Sequence, residues 1–279
     1  MGAELYFGGL DMKCFEINLK DHYPVQKGTV QAILGESPHD GNSPFVRPAL
    51  VVVPGGGYWF VSKREGEPVA SAFLARGFQT FILTYACAPD EVHYPEQLTE
   101  LACTVDYIRR NAEAFHVNPD QIFVVGFSAG GHLTANLAVA YHEIEKITGL
   151  QLDCKPTAVG LSYPVVFEHG GSFDNLLKGY EGAEREALLP EIHLLNKVSS
   201  KTAPAFIWTT AEDKVVPPVN SLYFAAELSK NGVLFELHVY PHGHHGLSTG
   251  SREVNDPIPA LDVISAWVDD CARFFREYC

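Results

Sequence analysis

The stretch from Asp120 to Leu133 constrains this chain more than any other part of it. It reads as a short apolar strand, Ile122-Phe123-Val124-Val125, then a turn of small residues, then the start of a helix. In Gly126-x-Ser128-x-Gly130 the glycines on either side of the serine let the backbone turn sharply from strand to helix without steric clash. A side chain at the apex of such a turn stands clear of the sheet, where a substrate can reach it. A glycine-rich chain also produces this spacing by chance, so the reading depends on the flanking elements and on partners elsewhere.

Those flanking elements are regular. Residues 14–19 and 29–34 alternate apolar and polar side chains around Lys20-Asp21-His22-Tyr23-Pro24, which predicts an antiparallel hairpin at a sheet edge. Turn formers and prolines over residues 36–48 predict a loop. Residues 49–53 are a continuous aliphatic run, the kind that suits a parallel strand covered on both faces. A helix is expected over 68–76, closed by Gly77, and a strand over 78–85. Pro95 opens a helix with Leu98, Leu101, Ala102, Val105 and Ile108 on one face. Residues 122–127 form the strand under the turn, and Leu133, Leu137 and Ala140 mark the packing face of the helix it launches. Three more strands are expected at 157–163, 205–210 and 234–240, with helices at 219–230 and 260–277. Repeated strand–helix units predict one α/β domain over residues 1–279, built on a doubly wound, mostly parallel sheet with an antiparallel edge. The segment 167–203 is out of rhythm, with a helical portion near 184–189, and predicts a small cap insertion or an inert surface loop.

Composition narrows the partners. A formal charge of −14 leaves no basic concentration to replace phosphate counterions, which argues against nucleic acid and anionic membranes. The 46% hydrophobic content is ample for a core. The 6 cysteines form no C-x-x-C pair, so a zinc or redox motif is not expected, and those inside elements read as small buried hydrophobes. No apolar run reaches the roughly 18 residues of a membrane span. The amino terminus lacks a signal-peptide profile, so a soluble, cytoplasmic protein is expected, or a secreted or periplasmic one where a leader has been removed.

Ligands in such a sheet sit beyond the carboxyl ends of the strands, and the chemistry-bearing residues collect there. A serine hydroxyl needs a base within hydrogen-bonding reach, itself oriented by a carboxylate, in the chain order serine, acid, histidine. After the strand 205–210 the chain reads Glu212-Asp213-Lys214-Val215-Val216-Pro217. Asp213 is the preferred acid, because its turn points a short carboxylate across the sheet, and Glu212 is the competitor. After the last strand come His242-Gly243-His244-His245-Gly246, where His245, set in a His-Gly pair, is the preferred base and His244 the alternative. Three histidines in this run could suggest a metal, but no carboxylate or cysteine is interleaved, so neither metal nor cofactor is expected. The oxyanion formed by serine attack needs amide donors, which Ala129, Gly56 and Gly57 supply; a phosphate cradle is disfavoured because no Gly-Lys-Ser/Thr follows the glycines.

Taken together, these residues resemble the α/β-hydrolase superfamily, in its esterase/lipase branch related to hormone-sensitive lipase and to bacterial acetyl xylan esterases. The resemblance rests on Val53-Pro54-Gly55-Gly56-Gly57-Tyr58, Arg64-Glu65-Gly66-Glu67-Pro68-Val69-Ala70, Gly126 to Leu133, Glu212 to Pro217 and His244-His245-Gly246. It implies an α/β-hydrolase fold, Ser128, Asp213 and His245 as a triad, and Gly56, Gly57 and Ala129 as oxyanion donors. Lipase-type members carry histidine before the three glycines, whereas this chain has Pro54. The Pro-Gly-Gly-Gly-Tyr form resembles the carbohydrate esterases and implies short acyl chains, acetyl above all, on small-molecule or oligosaccharide esters such as acetylated xylo-oligosaccharides. Lack of a large amphipathic lid agrees with that. Tyr58 and Trp59 are candidates for stacking on a sugar ring, or for pocket wall. The rival expectations are a serine peptidase of the prolyl-oligopeptidase type, which normally carries a gating domain, and a non-catalytic relative that binds small molecules. Monomer or homo-oligomer stays open.

Overall fold

The computed structural model describes residues 12–36, 45–167 and 170–279. Its strands are β1 (Met12–Asn18), β2 (Thr29–Gly35), β3 (Arg47–Val53), β4 (Gln79–Thr84), β5 (Val117–Phe127), β6 (Val159–Ser162), β7 (Ala205–Thr210) and β8 (Phe235–Tyr240). Its helices are α1 (Glu67–Leu74), α2 (Glu96–Arg110), α3 (Ala129–Ala140), α4 (Ile144–Thr148), α5 (Gly170–Leu176), α6 (Gly182–Ile192), α7 (Val219–Lys230), α8 (Leu261–Ile264) and α9 (Trp267–Arg276). One sheet runs in the order β1-β2-β4-β3-β5-β6-β7-β8. β1 and β2 pair antiparallel, β2 pairs antiparallel with β4, and from β4 to β8 every pairing is parallel.

The aliphatic strands explain why helices cover both faces. In β3, Ala49, Val51 and Val53 join a core with Leu98, Leu101, Leu133, Leu137, Phe224 and Leu228, which lie on α2, α3 and α7. Their neighbours Leu50 and Val52 point the other way, into a second core with Phe73, Trp267 and Phe275 of α1 and α9. The period of two thus divides one apolar run between two cores. Aromatic rings tighten the second core, with Phe123 stacked on Phe275 at 4.5 Å and Trp208 on Trp267 at 5.3 Å between centroids.

The fold departs from the sequence expectations at element ends and in two segments. β3 begins at Arg47, two positions earlier than the aliphatic run suggests, and residues 37–44 of the expected loop lie outside the described residues. The expected helix over 260–277 is divided into α8 and α9 by a tight turn, in which the amides of Ala266 and Val268 reach back only three residues, to Val263 and Ser265. That turn seats Trp267, whose indole N–H donates to Ser248 O at 2.9 Å. α4 was not expected; Gly149, at φ 75°, ends it in the left-handed region. Among the described residues no helix is long and apolar enough to cross a membrane.

The strand order reverses between β3 and β5. The loops leaving these two strands therefore diverge to opposite faces of the sheet and leave a crevice above their carboxyl ends. The glycine loop follows β3, Ser128 follows β5, and β7 and β8 deliver the Asp213 and His245 loops to the same end.

Candidate active site

Ser128 sits at the junction of β5 and α3 with φ 53° and ψ −115°, a strained conformation for a residue with a Cβ. Close packing of glycines holds it there. A Cβ on Gly126 would lie 2.2 Å from Thr134 Oγ1, and one on Gly130 would lie 2.2 Å from Val53 O. Only hydrogen fits at either position. The turn is pinned further by the Ser128 amide, which donates to Ser162 O at 3.0 Å.

His245 comes to this serine from beyond β8. The Ser128 hydroxyl lies 2.8 Å from His245 Nε2, and His245 Nδ1 lies 2.6 Å from Asp213 Oδ2. The other carboxylate oxygen, Oδ1, accepts from the amides of Val215 and Val216, each at 2.9 Å. Donation from Nδ1–H to the carboxylate leaves Nε2 free to accept the serine proton. The Asp213 side chain is 1% exposed and that of His245 15%, so the pair is largely screened from water.

The alternatives point elsewhere. Glu212 accepts from the Gly243 amide and pairs with His242 Nδ1, both at 3.1 Å; these hydrogen bonds hold its carboxyl below the usual range. His244 turns its Nδ1 toward His245 O at 2.7 Å. The three histidines of this run thus serve three different partners.

The glycine loop packs directly over the serine. A Cβ on Gly55 would lie 3.0 Å from Ser128 Cβ, so the loop approaches as closely as a residue without a side chain allows. Gly56 and Gly57 have φ of 125° and 63°. Among the described residues, no protein acceptor is paired with the amides of Gly56, Gly57 or Ala129. The Gly57 carbonyl accepts from Asn175 Nδ2 of α5 at 2.8 Å, which ties segment 167–203 to the loop.

Tyr58 and Trp59 part company. Tyr58 is fully buried, and its hydroxyl donates to His132 Nδ1 at 2.8 Å, so it presents no face to a sugar. Of the two alternatives for Tyr58, stacking on a sugar does not fit this burial: its own left-handed backbone, φ 59°, in the turn after the glycines sends its ring inward while that of Trp59 faces out. Trp59 is 52% exposed, with the ammonium of Lys178 5.4 Å from its ring centroid. His132 in turn donates from Nε2 to Ile192 O at 2.8 Å, and burial lowers its pKa to about 4, so it stays neutral and joins α3 to α6.

Sequence reasoning assigned no role to Glu65 or Tyr163. Glu65 is only 5% exposed; its Oε2 accepts from the Gly55 amide at 2.8 Å and its Oε1 from the Tyr163 hydroxyl at 2.7 Å. Burial raises its pKa, against the lowering effect of those two donors. The available signal was the Arg64-Glu65-Gly66-Glu67 stretch, which the resemblance flagged without saying which way Glu65 points.

With this geometry in view, two family models divide the chain: BD-FAE matches residues 37–160 and the prolyl oligopeptidase family matches residues 166–273. An acetylxylan esterase of Xylanibacter ruminicola is 29% identical over 90% of this chain and 52% of its own length. MGS-M1, an α/β hydrolase enzyme from a Medee basin deep-sea metagenome library, is 31% identical, covering 96% of this chain and 98% of its own, with a TM-score of 0.75. An acetyl ester-xyloside bifunctional hydrolase from Caldicellulosiruptor lactoaceticus is 30% identical, covering 94% of this chain and 96% of its own, with a TM-score of 0.77. The chain spans about a third to a half of the length of the curated relatives it matches.

Proposed function

This chain belongs to the esterase branch of the α/β-hydrolase family, and from that premise we propose that it is a serine carboxylesterase acting on short acyl esters, acetyl above all, carried by oligosaccharides such as acetylated xylo-oligosaccharides. The observation that carries the proposal is the continuous relay from Ser128 Oγ through His245 to Asp213, at 2.8 and 2.6 Å, beneath a glycine loop.

In the proposed reaction Ser128 Oγ attacks the ester carbonyl carbon while its proton passes to His245 Nε2. The carbonyl electron pair moves onto oxygen, and the amides of Gly56, Gly57 and Ala129 donate to the resulting oxyanion. Each such donor is worth on the order of 3 kcal/mol in comparable sites. Collapse breaks the bond to the alcohol, whose oxygen takes the proton from His245. Water then attacks the acyl-enzyme with His245 as base, releasing the acid and restoring the serine. Asp213 keeps its charge throughout, orienting the imidazole and stabilising the imidazolium. Protein groups and water supply every proton and electron pair.

The substrate half of the proposal draws on the xylan-directed names of the relatives and on the exposed Trp59, two residues past the last glycine of the loop. Segment 167–203 is proposed as a small cap, supported by the bonds of Asn175 to the glycine loop and of Ile192 to His132 of α3. A peptidase reading is favoured by one observation, the match of residues 166–273 to the prolyl oligopeptidase family. Ser128→Ala is expected to abolish hydrolysis of p-nitrophenyl acetate with folding intact. Turnover retained above background refutes the nucleophile assignment. A panel of acetylated xylo-oligosaccharides, p-nitrophenyl esters of rising chain length and proline-containing peptides then separates the substrate classes.

A further inference from the structure

The short turn Lys63–Glu65 lies between the two loops that the reaction brings together. Its Glu65 carboxylate grips the glycine loop through the Gly55 amide and, through Oε1, the hydroxyl of Tyr163. The Tyr163 oxygen accepts in turn from the Ser248 amide at 2.9 Å, three residues beyond His245, and the Tyr163 ring stands edge-on to the His245 imidazole at 4.9 Å between centroids. Arg64 reinforces the same side: its carbonyl accepts from Ser248 Oγ at 2.6 Å, and its guanidinium donates to Gly246 O at 3.2 Å and Val254 O at 2.9 Å.

This pattern of donors defines the state of Glu65. Both carboxylate oxygens accept, and the Tyr163 oxygen already takes an amide proton from Ser248, so the tyrosine must send its own proton to Glu65. A protonated carboxyl would leave one of these hydrogens without an acceptor. Burial opposes the ionised form, and the two donors, Arg64 and His245 favour it. The titratable groups facing Glu65 are Tyr163, Tyr85, Arg64 and His245; those facing His245 from the neighbouring elements are Asp213, Tyr163 and Glu65.

Resting on the serine-hydrolase reading above, we infer that Glu65 is a positioning residue: as a buried anion it locks the glycine loop and the His245 loop into one unit and adds a second negative charge, beside that of Asp213, facing the imidazolium formed during catalysis. It touches no reacting atom and acts through Gly55 and Tyr163. A merely structural glutamate would support folding without affecting how protonation of the site depends on pH.

The test compares wild type, E65Q and Y163F, each shown folded by circular dichroism, in steady-state hydrolysis of p-nitrophenyl acetate from pH 5 to 9. E65Q is expected to lower kcat by about tenfold or more with KM changed by less than about threefold. The acid limb of its kcat/KM profile should move to lower pH, because an anion facing the imidazolium has been removed. Y163F keeps the carboxylate but removes the hydroxyl bridge; a smaller fall in kcat is expected, and this variant carries the test should E65Q fail to fold. Unchanged kcat and an unmoved limb in the folded variants overturn the inference, as does a loss confined to thermal stability. Labelling of wild type by a fluorophosphonate separates the two levels of the argument. A labelled wild type with indifferent variants refutes the role of Glu65 alone, whereas an unlabelled, inactive wild type overturns the serine-hydrolase reading and the inference with it.

Discussion

Replacing Asp213 by asparagine tests the relay most directly, because the structure dictates which way the new amide must face. The amides of Val215 and Val216 both donate to Oδ1 at 2.9 Å. An NH2 group there would oppose two N–H donors, so the asparagine oxygen takes that place and the NH2 falls at the Oδ2 position, 2.6 Å from His245 Nδ1. The ring must then accept at Nδ1 and carry its proton on Nε2, which faces Ser128 Oγ at 2.8 Å. A histidine protonated on that side cannot take the serine proton. The same wrong-tautomer substitution in other serine enzymes costs about ten-thousandfold in turnover. At 1.36 kcal/mol per decade that is about 5.4 kcal/mol of transition-state stabilisation. The assay is kcat for p-nitrophenyl acetate at neutral pH, with Glu212→Gln measured beside it. Asn has almost the volume of Asp, so the thermal transition should stay near that of wild type. Glu212 serves His242 and Gly243 instead, so its variant should keep most of its turnover. Asp213→Asn retaining more than about a tenth of wild-type kcat, or Glu212→Gln suffering the larger loss, refutes the assignment.

Trp59→Ala should lower kcat/KM for acetylated xylo-oligosaccharides while sparing p-nitrophenyl acetate; equal effects on both substrates would remove Trp59 from sugar binding. Gly130→Ala would push a Cβ to within 2.2 Å of Val53 O and 2.3 Å of Pro54 O, both backbone. About 1–3 kcal/mol of destabilisation is expected in urea unfolding, with loss of esterase activity; wild-type stability would contradict the packing argument. Glu100, fully buried, has its pKa raised to about 8 by burial, against an ordinary value of 4.5. Its folded state holds a proton that the unfolded chain has already released, so stability is lost as pH rises across the window from about 4.5 to about 8, by at most about 1.36 kcal/mol per unit. Glu100→Gln should remove that component, gaining on wild type in melting temperature between pH 5 and pH 8; parallel curves would show that Glu100 does not titrate in the window.

Much of this architecture was legible in the chain. The strands and helices at Ala205–Thr210 and Val219–Lys230 fall where apolar periodicity and the Asn231-Gly232 terminator put them. The reason is local: the period of side chains along a strand or helix and the steric freedom of glycine are properties of a few consecutive residues. Element ends were less legible, as at Arg47 and at the break before Trp267, because pairing with a neighbouring strand or a distant carbonyl decides them.

The strand–turn–helix around Ser128 and the order of serine, acid and histidine along the chain were determined by sequence alone, since each is a matter of residue type and spacing. Sequence ranked Asp213 over Glu212 and His245 over His244 without showing where any of them points, and it did not rank Trp59 against Tyr58. In each pair the two residues are adjacent and chemically similar, and they differ in the direction the folded backbone gives their side chains. Glu65 is the extreme case. Along the chain it is one charged residue among several, and only the meeting of Gly55, Tyr163, Ser248 and His245 around it, brought together from the three loops that follow β3, β6 and β8, turns it into a buried carboxylate beneath the site.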